Sequence, residues 1–151
     1  MIIPNDVLFD EVVSMLSKGY TVTLHAKGNS MFPFIVEGRD CVVLQKAVRI
    51  QEGDIVLVRL AGKRYVLHRI YHVAGNEIVL MGDGNVHGRE RCRTEDICGV
   101  VLEIIRDGRF ISCHSPKERR NVRLWRKLLP FRRYILAVWH RWIRWNGKAE
   151  R

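Results

Sequence analysis

The sequence predicts a mainly β protein: a small antiparallel or barrel-like body, preceded by a short helix and followed by a basic, amphipathic helical tail. Three observations lead there. Residues 20–114 break into short alternating, β-branched runs separated by glycine turns. Before them, Val7, Leu8, Val12, Met15 and Leu16 recur at helical spacing. After them, charge and tryptophan concentrate: residues 1–116 hold 14 Lys+Arg and 14 Asp+Glu, whereas residues 117–151 hold 12 and 2, together with all four tryptophans. The net charge of +10 is therefore a property of the tail. The chain divides into a β body with its N-terminal helix, residues 1–116, and a tail, residues 117–151. With 151 residues and 47% hydrophobic content it can bury a core and is not a disordered chain.

The elements follow in order. Asn5 can cap a helix over about residues 6–18, and Gly19 suits its C-terminal stop. "YTVTLHA" and "DCVVLQ" read as strands. "GDIVLVRL", "AGK" and "RYVLHRIYHV" read as strand, turn and strand, with Gly62 supplying the loop, and "AGN" turns into "EIVLMGD". "ICGVVLEIIRDGRFISCH" is a hairpin closed by Asp107-Gly108. Pro130 should interrupt the tail, giving one helix near 118–129 and another near 131–145.

Several classes are disfavoured. The N-terminus "MIIPNDVLFDEVVSM" has no basic leader and carries acids among its apolar residues, so it does not read as a signal peptide. No uncharged apolar run of about 18 residues occurs, so no spanning segment is expected. Cys41, Cys92, Cys98 and Cys113 form no Cys-x-x-Cys pair, which argues against zinc and for free thiols in a reducing compartment. No cofactor is expected.

The stretch "GNSMFPFI", Gly28–Ile35, raises a chemical question: Ser30 is a loop hydroxyl or a nucleophile. A serine hydroxyl needs a base within hydrogen-bond reach. His68, in the strand "VLHRI" beside Arg69, is a candidate, and neutral imidazole can take the proton and return it to a leaving amine. Taken alone, a histidine on a strand is more often a structural residue.

"GNSMFPFI", "EGDIVLV", "VLHRI" and "MGDGN" fall in the order found in the signal peptidase I and LexA-like peptidase superfamily, which the sequence resembles over about residues 20–105. The His68-Arg69 pair is similar to the histidine-type, archaeal and endoplasmic-reticulum members, where other members use lysine. The resemblance implies a serine endopeptidase acting on a polypeptide, with Ser30 as nucleophile and His68 as base then acid. It implies Asp83 of "MGDGN" as the group that orients His68; a turn aspartate holding backbone N–H groups is the other reading. Gly28, Asn29, Met31 and Pro33 are the expected substrate or oxyanion positions, although Met31 is equally suited to the core. The chain departs from the histidine-type pattern in "GDGNVHGRERC": Gly88 and Arg89 stand where a further pair of acids is expected. A Ser-His-Asp site, a Ser-His dyad, or a catalytically weak relative acting as a peptide-binding or membrane-associated module all stay open. The implied substrate is a leader or signal segment.

On a helix over 131–145, Arg133, His140, Arg141 and Arg144 share one arc and Phe131, Tyr134, Ile135, Val138, Trp142 and Trp145 the opposite one, with Arg132 the misfit. A basic face against an aromatic face suits an anionic membrane surface. The alternatives are an aromatic face packed on the body or a partner, and nucleic acid; the last ranks lowest, because the N-terminal helix is too short for a helix-turn-helix. The expected location is cytoplasmic, peripheral on the inner face of the membrane if the tail binds lipid.

Overall fold

A computed structural model describes residues 6–28, 30–61, 64–85 and 88–149. The Asn5 cap and the Gly62 loop lie outside these residues. Helix α1 spans Asp6–Ser17. Its positions Phe9, Val12 and Leu16 are buried, the stripe expected of one helical face. The helix stops as its sequence predicts, with the Gly19 N–H on the Leu16 carbonyl at 3.0 Å and the Tyr20 N–H on that of Met15 at 3.1 Å.

Eight strands follow among the described residues: β1 (Val22–His25), β2 (Asp40–Gln45), β3 (Ile55–Leu60), β4 (Arg64–Ala74), β5 (Glu77–Met81), β6 (Glu90–Arg93), β7 (Ile97–Arg106) and β8 (Arg109–Ser112). They form one antiparallel sheet in the order β1-β2-β7-β3-β4-β5-β6, with β8 folded back on β7. Register shifts at Val43/Leu44, Leu57/Val58 and Ile70/His72 bend the sheet. The β7–β8 turn has positive φ at both Asp107 (51°) and Gly108 (74°), the geometry that makes Asp-Gly a strong hairpin signal. The first strand is shorter than "YTVTLHA" suggests, and β6 lies in a stretch with no strand expectation.

Apolar side chains fill both faces. One cluster sets Phe9, Val12 and Leu16 of α1 against Val42, Leu44, Leu57, Val101 and Ile104. A second holds Val56, Val58, Ile70, Ile78 and Leu80. At about 2–5 kcal/mol for truncating a buried leucine, Leu16 alone carries a large part of the α1 attachment.

The tail forms α2 (Pro116–Lys127), a 3-10 turn over Leu129–Phe131 around Pro130, and α3 (Arg132–Ala149). Helix α2 starts two residues earlier than expected, because Ser115 caps it by accepting the Glu118 N–H at 3.2 Å and Pro116 occupies its first position. A third cluster, Phe32, Trp125 and Leu136, fastens the tail to the body. On α3 the body-facing stripe is Arg132, Ile135, Leu136 and His140, with Phe32 stacked on the His140 ring at 4.8 Å and edge-on to Trp139 at 5.5 Å. This corrects the expected partition: His140 leaves the basic arc and faces inward, while Phe131, Tyr134, Val138, Trp142 and Trp145 stay exposed. Their aromatic face is not the one packed on the body.

Candidate active site

Strand alternation sends neighbouring side chains of β4 to opposite faces. His68 and Arg69 therefore work on different sides of the sheet. His68 lines a cavity of about 250 Å³, which it shares with Gly28, Ser30, Met31, Tyr65 and Glu90. Arg69 turns into the body and ties the sequence motifs together. Its Nε and Nη2 grip the Asp83 carboxylate, at 2.8 and 2.7 Å, and its Nη1 donates to the Gly53 carbonyl at 2.7 Å. Its guanidinium also lies over the Phe34 ring, 4.9 Å from the centroid. One side chain thus joins "VLHRI" to "EGDIVLV", "MGDGN" and "GNSMFPFI". Burial works against the Arg69 charge, but the Asp83 carboxylate overcomes it and the pKa rises above the usual arginine value.

The Ser30 loop is braced from below. The Gly84 N–H donates to the Ser30 carbonyl at 2.9 Å. Gly82 passes so close that a Cβ there would collide with the same carbonyl oxygen, so only glycine fits. The Trp125 indole N–H donates to the Asp83 carbonyl at 3.0 Å. At the far end, the buried Asp40 carboxylate accepts the Val36 N–H at 2.8 Å and bonds from Arg39 and Arg106. Burial opposes its charge, and those donors prevail, holding the carboxyl below its usual range. Gly28 enters the loop with φ of +83°.

Each expected site residue now has a position. Ser30 and His68 face one cavity, and Gly28 and Met31 line it too. Met31 is at the same time buried in the main apolar cluster. Asn29 lies outside the described residues. Pro33 is elsewhere: it lines an apolar cavity with Phe34, Trp125, Leu128 and Trp139 beneath the tail helices. Asp83 also departs from expectation. Its carboxylate is committed to Arg69, and its contribution to His68 is only a longer-range attraction. The planar guanidinium fork offers a carboxylate two parallel bonds, which a single imidazole N–H cannot match.

The carboxylate beside His68 is Glu90, at the start of β6. Its Oε2 lies 3.6 Å from His68 Nδ1, and both atoms are buried with no hydrogen-bond partner. Glu90 Oε1 accepts from Arg64 Nη2 at 3.0 Å. The chain therefore presents an acid one position beyond Gly88 and Arg89. Burial lowers the pKa of His68, Glu90 and Asp83 pull it upward, and Arg64 pushes it down; the net effect is below the usual imidazole value. His68 is thus neutral at physiological pH, the state a proton acceptor needs. Burial pushes the Cys92 and Cys113 thiols up to about 11, so neither is a thiolate nucleophile; all four cysteines are free.

A bent antiparallel β sheet between an N-terminal helix and a C-terminal helical tail is consistent with a peptidase-like protein of the LexA and signal peptidase superfamily. A family model described as Peptidase S24-like matches residues 5–102, and the chain belongs to that family, which includes LexA-like self-cleaving proteases. No curated protein matches the chain.

Proposed function

We propose that the protein is a serine endopeptidase of the histidine type, with Ser30 as nucleophile, His68 as base and acid, and Glu90 as the carboxylate that orients the imidazole. The observation that carries this reading is the shared cavity: Ser30 and a buried, neutral His68 line the same wall-to-wall space. In the reaction, the Ser30 Oγ–H proton passes to His68 Nε2 as the oxygen attacks the peptide carbonyl carbon. Collapse of the tetrahedral adduct breaks the C–N bond and returns the proton to the amine. Water then attacks the ester, gives its proton to His68, and frees the acid as Ser30 Oγ regains a proton. Backbone N–H groups around Ser30 serve the oxyanion. Closing the His68–Glu90 gap from 3.6 Å to hydrogen-bond length would satisfy both orphaned atoms, as expected when a catalytic bond tightens on substrate binding.

The substrate is a polypeptide in extended form. Residues 64–68 of β4 pair with β3 on one side, whereas pairing with β5 begins only at Arg69. Residues 26–28 line the same cavity as residues 64–68. A chain laid between them would add as a strand. The fitting substrate class is an exposed leader or signal segment. The tail supports attachment to an anionic membrane surface, since α3 exposes Tyr134, Val138, Trp142 and Trp145 beside Arg133, Arg141 and Arg144. No helix among the described residues is long and apolar enough to cross a membrane.

One observation favours a second reading, a weak or inactive relative that binds peptides: Arg64 already holds Glu90, and His68 stands outside hydrogen-bond range of it. The deciding experiment is hydrolysis of a peptide library by the parent and by Ser30→Ala. The peptidase reading expects cleavage that the alanine variant loses by on the order of 10³-fold or more. Equal rates in the two, or no cleavage by the parent, sink it.

A further inference from the structure

Five arginines line a cavity on the other face of β4, away from Ser30. This cavity of about 320 Å³, the size range of small-ligand sites, opens between α2 and the β3–β4 side of the sheet. Arg119, Arg123 and Arg126, spaced four and three along α2, present one helical face to it. Arg69 and Arg132 line it from the sheet and from the start of α3. Its carboxylates are Glu52, Asp54 and Asp83.

Those carboxylates are largely engaged. Asp83 is gripped by Arg69. Glu52 holds His72 at 2.9 Å and Arg126 at 3.4 Å. Asp54 accepts the Gln51 N–H at 3.0 Å, and burial raises its pKa despite that bond and the nearby His114 and Arg119 charges. Among the described residues Arg119 meets His114 Nδ1 at 3.1 Å and the Gln51 amide oxygen at hydrogen-bond range, and no carboxylate. Arg123 has no hydrogen bond or ion pair among the described residues.

Arg132 is the telling group. It is 4% exposed, yet no carboxylate lies within ion-pair distance of it among the described residues. Two of its nitrogens share the Trp125 carbonyl at 3.3 and 3.4 Å, a third points at Met81 Sδ at 3.8 Å, and its plane lies over the Trp125 ring. A buried guanidinium normally carries an anionic partner, because desolvating a cation is expensive. Here the unpaired cations converge on an open cavity. We infer that this cavity binds a phosphate-type anion, with Arg132 at its base and Arg119 and Arg123 at its mouth. Guanidinium forks match phosphate oxygens bidentately. The group can come from a soluble phosphate ester or from a lipid headgroup, since the exposed face of α3 adjoins the site in sequence.

The test is a titration of the full chain with inorganic phosphate at constant ionic strength, balanced by chloride, read as the unfolding temperature and by calorimetry. A saturable rise of several degrees is expected, and Arg119→Gln/Arg123→Gln, both exposed positions, should weaken it at least tenfold. Arg132→Gln should abolish it; because that variant can also disturb the Trp125 packing, the double variant is the primary readout. Vesicles containing phosphatidic acid distinguish the sources. Phosphate that competes with vesicle binding identifies a lipid headgroup, and phosphate that binds without competing identifies a soluble ester; both uphold the site. No phosphate-specific shift, or a shift that survives Arg119→Gln/Arg123→Gln unchanged, overturns it. Neither Ser30 nor His68 enters, so Ser30→Ala protein gives the same titration whether or not the peptidase reading holds.

Discussion

The Trp125 indole N–H and the Asp83 carbonyl meet at 3.0 Å across 42 positions of chain. The tail therefore supports the turn that supports Ser30, since the next residue, Gly84, donates to the Ser30 carbonyl. Trp125→Phe keeps most of the apolar contact with Phe32 and Leu136 but orphans a buried carbonyl. A cost of about 1–3 kcal/mol is expected, or about 2–12 °C in melting temperature. The catalytic readout is more telling: kcat should fall beyond what the melting temperature at the assay temperature explains, because the nucleophile loop loses its brace. Parental kcat in Trp125→Phe would mean that the loop holds itself.

Much of the fold was legible from period alone. Strands β2, β3, β4 and β7 carry β-branched runs with one or both faces buried, and the 3.6-residue stripe of α1 is unambiguous. Strand β6 was not legible, because in "ERCR" only Cys92 is buried, and one apolar residue makes no alternation. Losing β6 meant losing Glu90. Ser30 and His68 are proposed from order and spacing, but which carboxylate lies beside His68 could not be read that way. It depends on which acid Arg69 captures, and that is decided by the β4–β5 register, which pairs Arg69 with Met81, two residues before Asp83. Arg132 stands as the misfit of its helical arc for a similar reason: its partner, the Trp125 ring and carbonyl, sits on another helix.

Glu90→Gln tests the orienting role. Losing a charge-assisted bond to His68 in the transition state, worth about 1.5–3 kcal/mol, lowers kcat by about 10- to 150-fold. Glu90 also raises the His68 pKa, so its removal moves the acid limb of the rate profile to lower pH while lowering the plateau. A purely structural Glu90 would change stability and leave the kcat plateau in place once the limb shift is allowed for.

The pH dependence of the parent follows from burial of His68, whose folded pKa lies below the ordinary value of 6.5. The unfolded chain takes up this proton first as pH falls. The corresponding stability is fully present above pH 6.5 and is lost as pH drops through 6.5 to the folded value. Activity should accordingly stay level down through pH 6.5 and fall only below it. His68→Gln should remove that share of the acid-side loss of stability, seen as a flatter melting temperature against pH. An acid limb centred above 6.5 would contradict a buried, neutral base.

Asp83 should behave as a scaffold residue rather than as part of the catalytic relay. Asp83→Ala strands the Arg69 charge in the interior, and breaking a buried pair on one side costs about 3–5 kcal/mol. Replacing both members, Arg69→Met with Asp83→Leu, should cost less than the sum of the single changes, since no unpaired charge remains. Thermal melts of the four proteins complete the cycle. Additive losses would deny the coupling, and a kcat collapse in Asp83→Asn at unchanged melting temperature would return Asp83 to the side of His68.

Removing residues 117–151 is a poor test of membrane binding, because the same segment carries Trp125, Leu136 and the His140 ring that covers Phe32. The exposed face of α3 can be tested without touching them. Trp142 and Trp145 are 58% and 76% exposed, so replacing them with alanine removes little packing, and the melting temperature should not move. If that face enters the headgroup layer, each indole contributes about 1–2 kcal/mol of partial burial, and the double variant should bind anionic vesicles on the order of 10²-fold more weakly. Arg141→Gln/Arg144→Gln should lose about 1 kcal/mol per charge at low salt and less at high salt. Co-sedimentation with vesicles of graded anionic lipid content measures both. Binding that ignores the tryptophans but follows the arginines would indicate a purely electrostatic surface contact, and binding indifferent to both would remove α3 from the membrane.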